Sequence, residues 1–179
     1  MDLADSFLAR SRHFLTHEYR AKVRLAVESL PRDAVWWRAN EQSNSVGNLL
    51  LHLAGNVRQW IVSGVGGAPD SRQRDAEFAA RDGADLATLL ATLESACADA
   101  VAVFRRLDAA ALGESRLIQG RTTNVVAAVY HVVEHFSGHT GQLILMAKDA
   151  APPGAVRFYD DAGGLARPLF LPEGMTDEP

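Results

Sequence analysis

Residues 130–142 read YHVVEHFSGHTGQ, and three of the chain's six histidines fall inside them, at His131, His135 and His139. Each follows the last by four residues. Four residues of α-helix turn through about 400°, so successive members stand nearly above one another with a drift of about 40°. An H-x3-H pair on one helical face can hold a metal ion between two imidazoles, provided that a further ligand comes from elsewhere. Of the histidines outside the stretch, His52 is the best placed to supply it. The chain therefore reads as a scaffold that carries His52 to the His135/His139 face.

Working outward, the apolar stripe of this helix is Val125, Val129, Val132, Val133, Phe136, Leu143 and Ala147. Measured from it, His139 lies about 60° off, His135 about 100° and His131 about 140°. His131 should point furthest outward. Gly138 and Gly141 leave the surface around His139 open, and Gln142 lies one turn beyond it. The helix is predicted over about 124–148, capped by Thr122 or Thr123 after a turn around Gly113 and Gly120, and ended by Pro152-Pro153-Gly154.

Upstream, residues 3–30 read as one helix through Leu8, Leu15, Tyr19, Val23, Ala26 and Leu30, with Pro31 stopping it. His13 and His17 also have i,i+4 spacing, but each lies about 160° from Leu15, which predicts a solvated face. Trp36 and Trp37 are expected to close one end of the core, where their indole N–H groups can find partners. Ser43, Asn44 and Ser45 offer a helix cap. The second helix then runs over about 46–63, with Val46, Leu49, Leu50, Leu53, Val57, Trp60 and Ile61 inward and His52 on a flank beside Asn56 and Gln59.

From Gly64 to Gly83 the periodicity fails. About twenty residues is far beyond the usual two to eight between bundle helices, long enough to run the length of a bundle and allow helices two and three to be parallel. Arg72, Arg74 and Glu77 could line the mouth of a site there, but the favoured reading is a solvated loop. Asp85 caps a third helix reaching Leu107, in which Cys97, among alanines, is a small buried hydrophobe rather than a nucleophile. After residue 150 no helical period remains, so the chain divides into a bundle over 1–150 and a C-terminal coil over 151–179 packed on it, with a fraying TDEP end.

Composition restricts the function. The chain has 179 residues, 47% of them hydrophobic, with 18 basic and 22 acidic side chains interspersed. That describes a single globular domain without the basic stripe of a nucleic-acid binder. One cysteine excludes an internal disulfide. The amphipathic N-terminus lacks a signal-peptide core, and no apolar run reaches the ~20 residues of a membrane span. A cytoplasmic protein is expected. Three neutral imidazoles suit a divalent ion such as zinc or nickel and leave a coordination position open. Asn56, Gln142 and His131 are the candidates for hydrogen-bonding support around the ligands. Spacing by itself leaves the bland reading open, since i,i+4 histidine pairs occur in helices that bind nothing. A di-iron carboxylate bundle is excluded because no glutamate has a histidine three residues later. A zincin is excluded because the His17-Glu18 step is followed by Ala21 where the second histidine belongs.

The combination resembles the DinB/YfiT-like family of metal-binding four-helix bundles. The likeness is carried by SNSVGNLLLHLAGNVRQWI around His52 and HVVEHFSGHTGQLIL around His135 and His139, and it covers residues 3–150, including the Trp36-Trp37 pair and the RQRDAEF crossover. Relatives have one metal histidine on the second helix and an H-x3-H pair on the fourth, which implies His52, His135 and His139 as ligands. Many carry a second histidine just before the last ligand, where this chain has Gly138; that position is not a ligand. The resemblance further implies an up-down-down-up bundle and a homodimer. It also implies a metal-dependent S-transferase that activates a low-molecular-weight thiol against a small electrophile. The alternatives are a hydrolase using a metal-bound water and a non-catalytic bundle steadied by its metal.

Overall fold

The structure, a computed structural model, describes residues 2–160 and 166–172, and it is mostly helical. Four long helical stretches carry it. The first covers residues 3–28 as Leu3–His13, a wide π-type turn over Phe14–Glu18, and Tyr19–Glu28. The second covers residues 46–65, with Val46–Val57 α-helical and Arg58–Val65 again wide. Leu86–Phe104 is the third and Val125–Ala150 the fourth. Their inward faces form one core that includes Leu15, Val23, Leu50, Leu53, Leu93, Phe104, Val129 and Phe136. An eight-residue step such as Leu15 to Val23 would drift by about 80° in a regular α-helix. The wide turn between them absorbs part of that drift, and both side chains are fully buried.

Local chemistry sets the boundaries. The Ser45 hydroxyl accepts from the Asn48 N–H at 3.1 Å, and Asn48 Oδ1 accepts from the Ser45 N–H at 3.0 Å, a reciprocal capping box that starts the second helix. Asp85 caps the third helix as predicted, accepting from the Thr88 N–H. The fourth is capped by Asn124, whose Oδ1 accepts from the Ala127 N–H at 2.8 Å, and not by Thr122 or Thr123. Those threonines lie in a strand, Arg121–Asn124, paired antiparallel with Ser115–Ile118. The two-residue turn, Gln119 (φ 52°) and Gly120 (φ 74°), takes the left-handed conformation that suits a tight hairpin.

Neighbouring helices are tied at identifiable pairs. Tyr19 stacks on Phe136 at 6.0 Å between ring centres, and Ala26 shares a smaller cluster with Ala147. On the second and third helices, Arg58 donates to Asp99 at 2.8 Å and Gly66 lies against Val103. Arg24 on the first helix pairs with Glu94 on the third. Between the second and fourth, His52 meets His135 and Asn56 meets His131. By length and apolar character Leu86–Phe104 could cross a membrane, contrary to the sequence reading that no run approaches that length. In the bundle, however, its Leu89, Leu90, Leu93, Ala96, Ala100, Val103 and Phe104 are buried.

Four further expectations change. His13 is buried, with Glu18 Oε2 3.9 Å from its Nε2, while His17 is exposed; the wide turn shifts the helix phase, so an offset counted at 100° per residue does not carry through it. Trp36 packs over Gly47 and donates to the Ala84 carbonyl at 3.1 Å, but Trp37 is 60% exposed and closes nothing. The crossover is not structureless, since Arg74–Ala79 forms a helix. Beyond the bundle, Tyr159–Asp160 pairs with Arg167–Pro168, and Val156 packs with Ala26 and Ala147; the TDEP end lies outside the described residues.

Leu93 is fully buried, on a helix that holds none of the three clustered histidines. Leu93→Ala should therefore cost about 2–5 kcal/mol, read as a lower urea midpoint, without altering the histidine cluster.

Candidate metal centre

The fourth helix presents His135 and His139 one turn apart, and the second helix crosses it at His52. His52 Nε2 lies 3.0 Å from His135 Nε2, and His139 Nε2 lies 3.2 Å from the same atom. One nitrogen from each ring falls within 4.8 Å of the others, a group that could hold a metal ion. A tetrahedral zinc site with Zn–N bonds of about 2.0–2.1 Å sets neighbouring nitrogens about 3.3 Å apart. The observed spacing fits such a site closely.

Proton bookkeeping points the same way. Glu77 Oε2 lies 3.0 Å from His52 Nδ1, and a carboxylate only accepts, so His52 Nδ1 carries the proton and its Nε2 a lone pair. The same holds for His139, whose Nδ1–H donates to Gln142 Oε1 at 2.7 Å. Two lone pairs thus converge on His135 Nε2, which has at most one proton to offer. A cation among the three satisfies them all. Both outer partners are the kind that orient metal-binding imidazoles.

Burial favours the neutral form of His135 and His139, the form that ligation requires. It pushes His135 down to about 3, with the charges on His139, His52, His131 and Arg72 acting in the same direction. His139 is also lowered by burial, against the bond to Gln142, which raises it. His135 Nδ1 is buried with no hydrogen-bond partner among the described residues, whichever tautomer it holds.

The crossover supplies what the sequence reading left in solvent. Arg72 donates from Nε to Glu77 Oε1 at 2.7 Å and from Nη2 to Glu77 Oε2 at 2.8 Å, a two-point pair. Its Nη1 donates to Gln59 Oε1 at 3.0 Å. Arg72 Nη2 also lies 3.0 Å from His52 Nδ1, but a protonated Nδ1 cannot accept, so the guanidinium donates to Glu77, Gln59 and, at 3.4 Å, the His52 carbonyl. Burial would raise the Glu77 carboxyl. The bonds from Arg72 and His52 and the Arg72 charge outweigh it and hold the group below its usual range. His52, expected on a half-exposed flank, is only 5% exposed because this segment covers it, with Phe78 4.5 Å away between ring centres. Gly55 makes the approach possible: a Cβ there would overlap the Glu77 carboxylate and lie 2.9 Å from Arg72 Nε. The signal in the sequence was the Arg72/Glu77 pair itself, five residues apart in a stretch with no apolar period.

The remaining candidates separate. Gln142 touches His139, as described. Asn56 and His131 stand together, with Asn56 Nδ2 3.5 Å from His131 Nε2, and the His131 ring lies 4.0 Å from that of Trp60. His131 is half-buried rather than fully outward, and it touches no ligand nitrogen. Positions 138 and 141 are open, as expected, with nothing within 4 Å of an added Cβ. Cys97 is fully buried, and burial pushes its thiol up to about 12.

A family model described as a protein of unknown function (DUF1572) matches residues 2–152. Among solved structures, a DinB-like protein from Bacillus subtilis, YjoA, is similar in fold with a TM-score of 0.58 at 20% identity, over 79% of this chain and 90% of that one. No curated protein matches the chain.

Two outcomes follow from the burial of these groups. Cys97 should resist Ellman's reagent in the native protein and react once guanidinium chloride unfolds it. In metal-free protein, the unfolded chain protonates His135 near the ordinary value of about 6.5, whereas the folded chain resists until about 3. The unfolded state binds more protons between those limits, so stability should fall as pH drops from about 6.5. His135→Gln should flatten that dependence in urea titrations.

Proposed function

We propose that this chain, which belongs to the DUF1572 family and is DinB-like, binds one divalent metal ion through His52, His135 and His139 and acts as a metal-dependent S-transferase. The observation that carries the reading is the convergence of three Nε2 atoms at 3.0 and 3.2 Å, with Nδ1–H donation from His52 and His139 to outer acceptors. When bound, zinc or nickel supplies the positive charge that turns a low-molecular-weight thiol into a thiolate nucleophile. An external thiol is required because Cys97 is buried and protonated.

The protein's own groups do the positioning. Glu77 fixes the tautomer and angle of His52, and Arg72 holds Glu77 in place. Gln142 does the same for His139. Gly138 and Gly141 leave room beside His139 for the reactants. The contact pairs between helices support an up-down-down-up order: numbering rises together between helices one and four and between two and three, and in opposition between two and four. The resemblance of the sequence supports a homodimer, and a single unpaired cysteine suits the reducing cytoplasm.

Elemental analysis of protein purified without added metal should find one zinc or nickel per chain. Alanine at His52, His135 or His139 should abolish it. His131→Ala should retain it. Glu77→Gln should weaken binding about 10–100-fold. The loaded protein should speed conjugation of bacillithiol, mycothiol or glutathione to monochlorobimane. Hydrolysis of esters without thiol would replace the transferase reading with a hydrolase. Full metal content in His52→Ala would overturn the ligand set.

A further inference from the structure

Where residues 30–46 pass the end of the fourth helix, the surface opens into a cavity of about 740 Å³, within the range of about 300–1,000 Å³ usual for small-molecule sites. Its walls are largely apolar, from Leu30, Val46 and Leu49 to Leu145 and Met146. Trp37 stands at the wall with 60% of its surface in water, and Leu145 with 61%, although a core is available a few residues away. Exposed apolar side chains grouped around a concavity mark a binding surface rather than incomplete folding.

The charges are one-sided. Asp33 and Asp149 line the cavity, whereas no lysine, arginine or histidine does. Neither carboxylate takes part in an ion pair among the described residues. Arg32 and Lys148 are their sequence neighbours, yet neither lines the wall. A cavity lined by an indole and two carboxylates attracts an organic cation by charge and by the ring quadrupole, and it repels an anion. The cavity also adjoins the histidine cluster: Gln142, one of its walls, accepts the Nδ1–H of His139.

We propose that this cavity binds the non-reacting end of the substrate, and that this end is a compact apolar or aromatic group bearing a positive charge, an aryl- or alkylammonium. The catalytic meaning rests on the proposed metal site, but recognition of the cation depends only on the cavity.

The test is calorimetric titration of metal-free and zinc-loaded protein with phenethylammonium, the neutral phenethyl alcohol and the anionic phenylacetate, with tryptophan fluorescence in parallel. Saturable binding of one phenethylammonium per chain is expected in both forms, about tenfold tighter than the alcohol, with phenylacetate weakest. Trp37→Ala and the double variant Asp33→Asn, Asp149→Asn should each weaken the ammonium about tenfold, and the carboxylate variant should erase its advantage over the alcohol. Zinc content should not change in either. The double variant alters only exposed side chains, so it decides the matter if Trp37→Ala fails to fold. Phenylacetate binding as tightly as the ammonium, or no saturable binding of any of the three, would overturn the proposal. So would a dimer in sedimentation that Trp37→Ala dissolves, because a second copy would then occupy the cavity. Wild-type protein that binds the ammonium but no metal would remove the metal reading and leave the cation site standing.

Discussion

The hydrogen-bond chain from Arg72 through Glu77 to His52 is the contact on which the centre depends. It joins a polar crossover to an apolar helix, and it is buried: the Arg72 side chain is 4% exposed and that of Glu77 11%. Removing one member of such a pair typically costs about 3–5 kcal/mol, because the other is left charged without a partner. Its net contribution to stability is small by comparison, since both groups lose their water on burial. What it contributes is position. With Glu77 held from one side by Arg72, His52 Nδ1 has a fixed acceptor and its Nε2 a fixed direction. The crossover is anchored independently of the histidines as well. Arg38 donates to the Phe78 and Ala80 carbonyls, and Asn48 donates to those of Glu77 and Ala80.

The fourth helix works differently. His135 and His139 need no help from distant residues to stand on one face, because helical geometry alone aligns them. Gln142 lies on the same helix three residues beyond His139 and reaches it directly. One half of the centre is thus local and nearly automatic, and the other half is assembled across 20 to 25 residues by burying charge.

That division explains what could be read from the sequence. His52 was matched to the pair as the best placed of the remaining histidines and through the family resemblance, whereas the four long helices and the His135/His139 pair were legible directly, from apolar period and i,i+4 spacing. Glu77 and Arg72 were not, because hydrophobic periodicity is blind to polar groups buried in pairs: each residue taken singly belongs in water. His13 was misplaced because a wide turn changes the angular step, and no residue in Phe14–Glu18 announces one. The hairpin at Gln119-Gly120 was read only as a turn, its strands being four residues each and mostly exposed. Asn124, the last residue of the strand, stands directly before the helix and so takes the cap, while the threonines lie further back in the strand.

Leu86–Phe104 gives no side chain to the histidine cluster, the Glu77 bond or the Gln142 bond. Its polar contacts with the other helices are surface ties, such as Arg58 to Asp99 and Arg24 to Glu94. The bundle is therefore lopsided in its duties. Substitutions on this helix can reach the chemistry only by moving the second helix as a body, so they should be felt as looseness in the ligand cage and not as a missing group. For anyone rebuilding the protein, this helix is a quarter of the bundle where repacking, tagging or crosslinking removes no group from the centre.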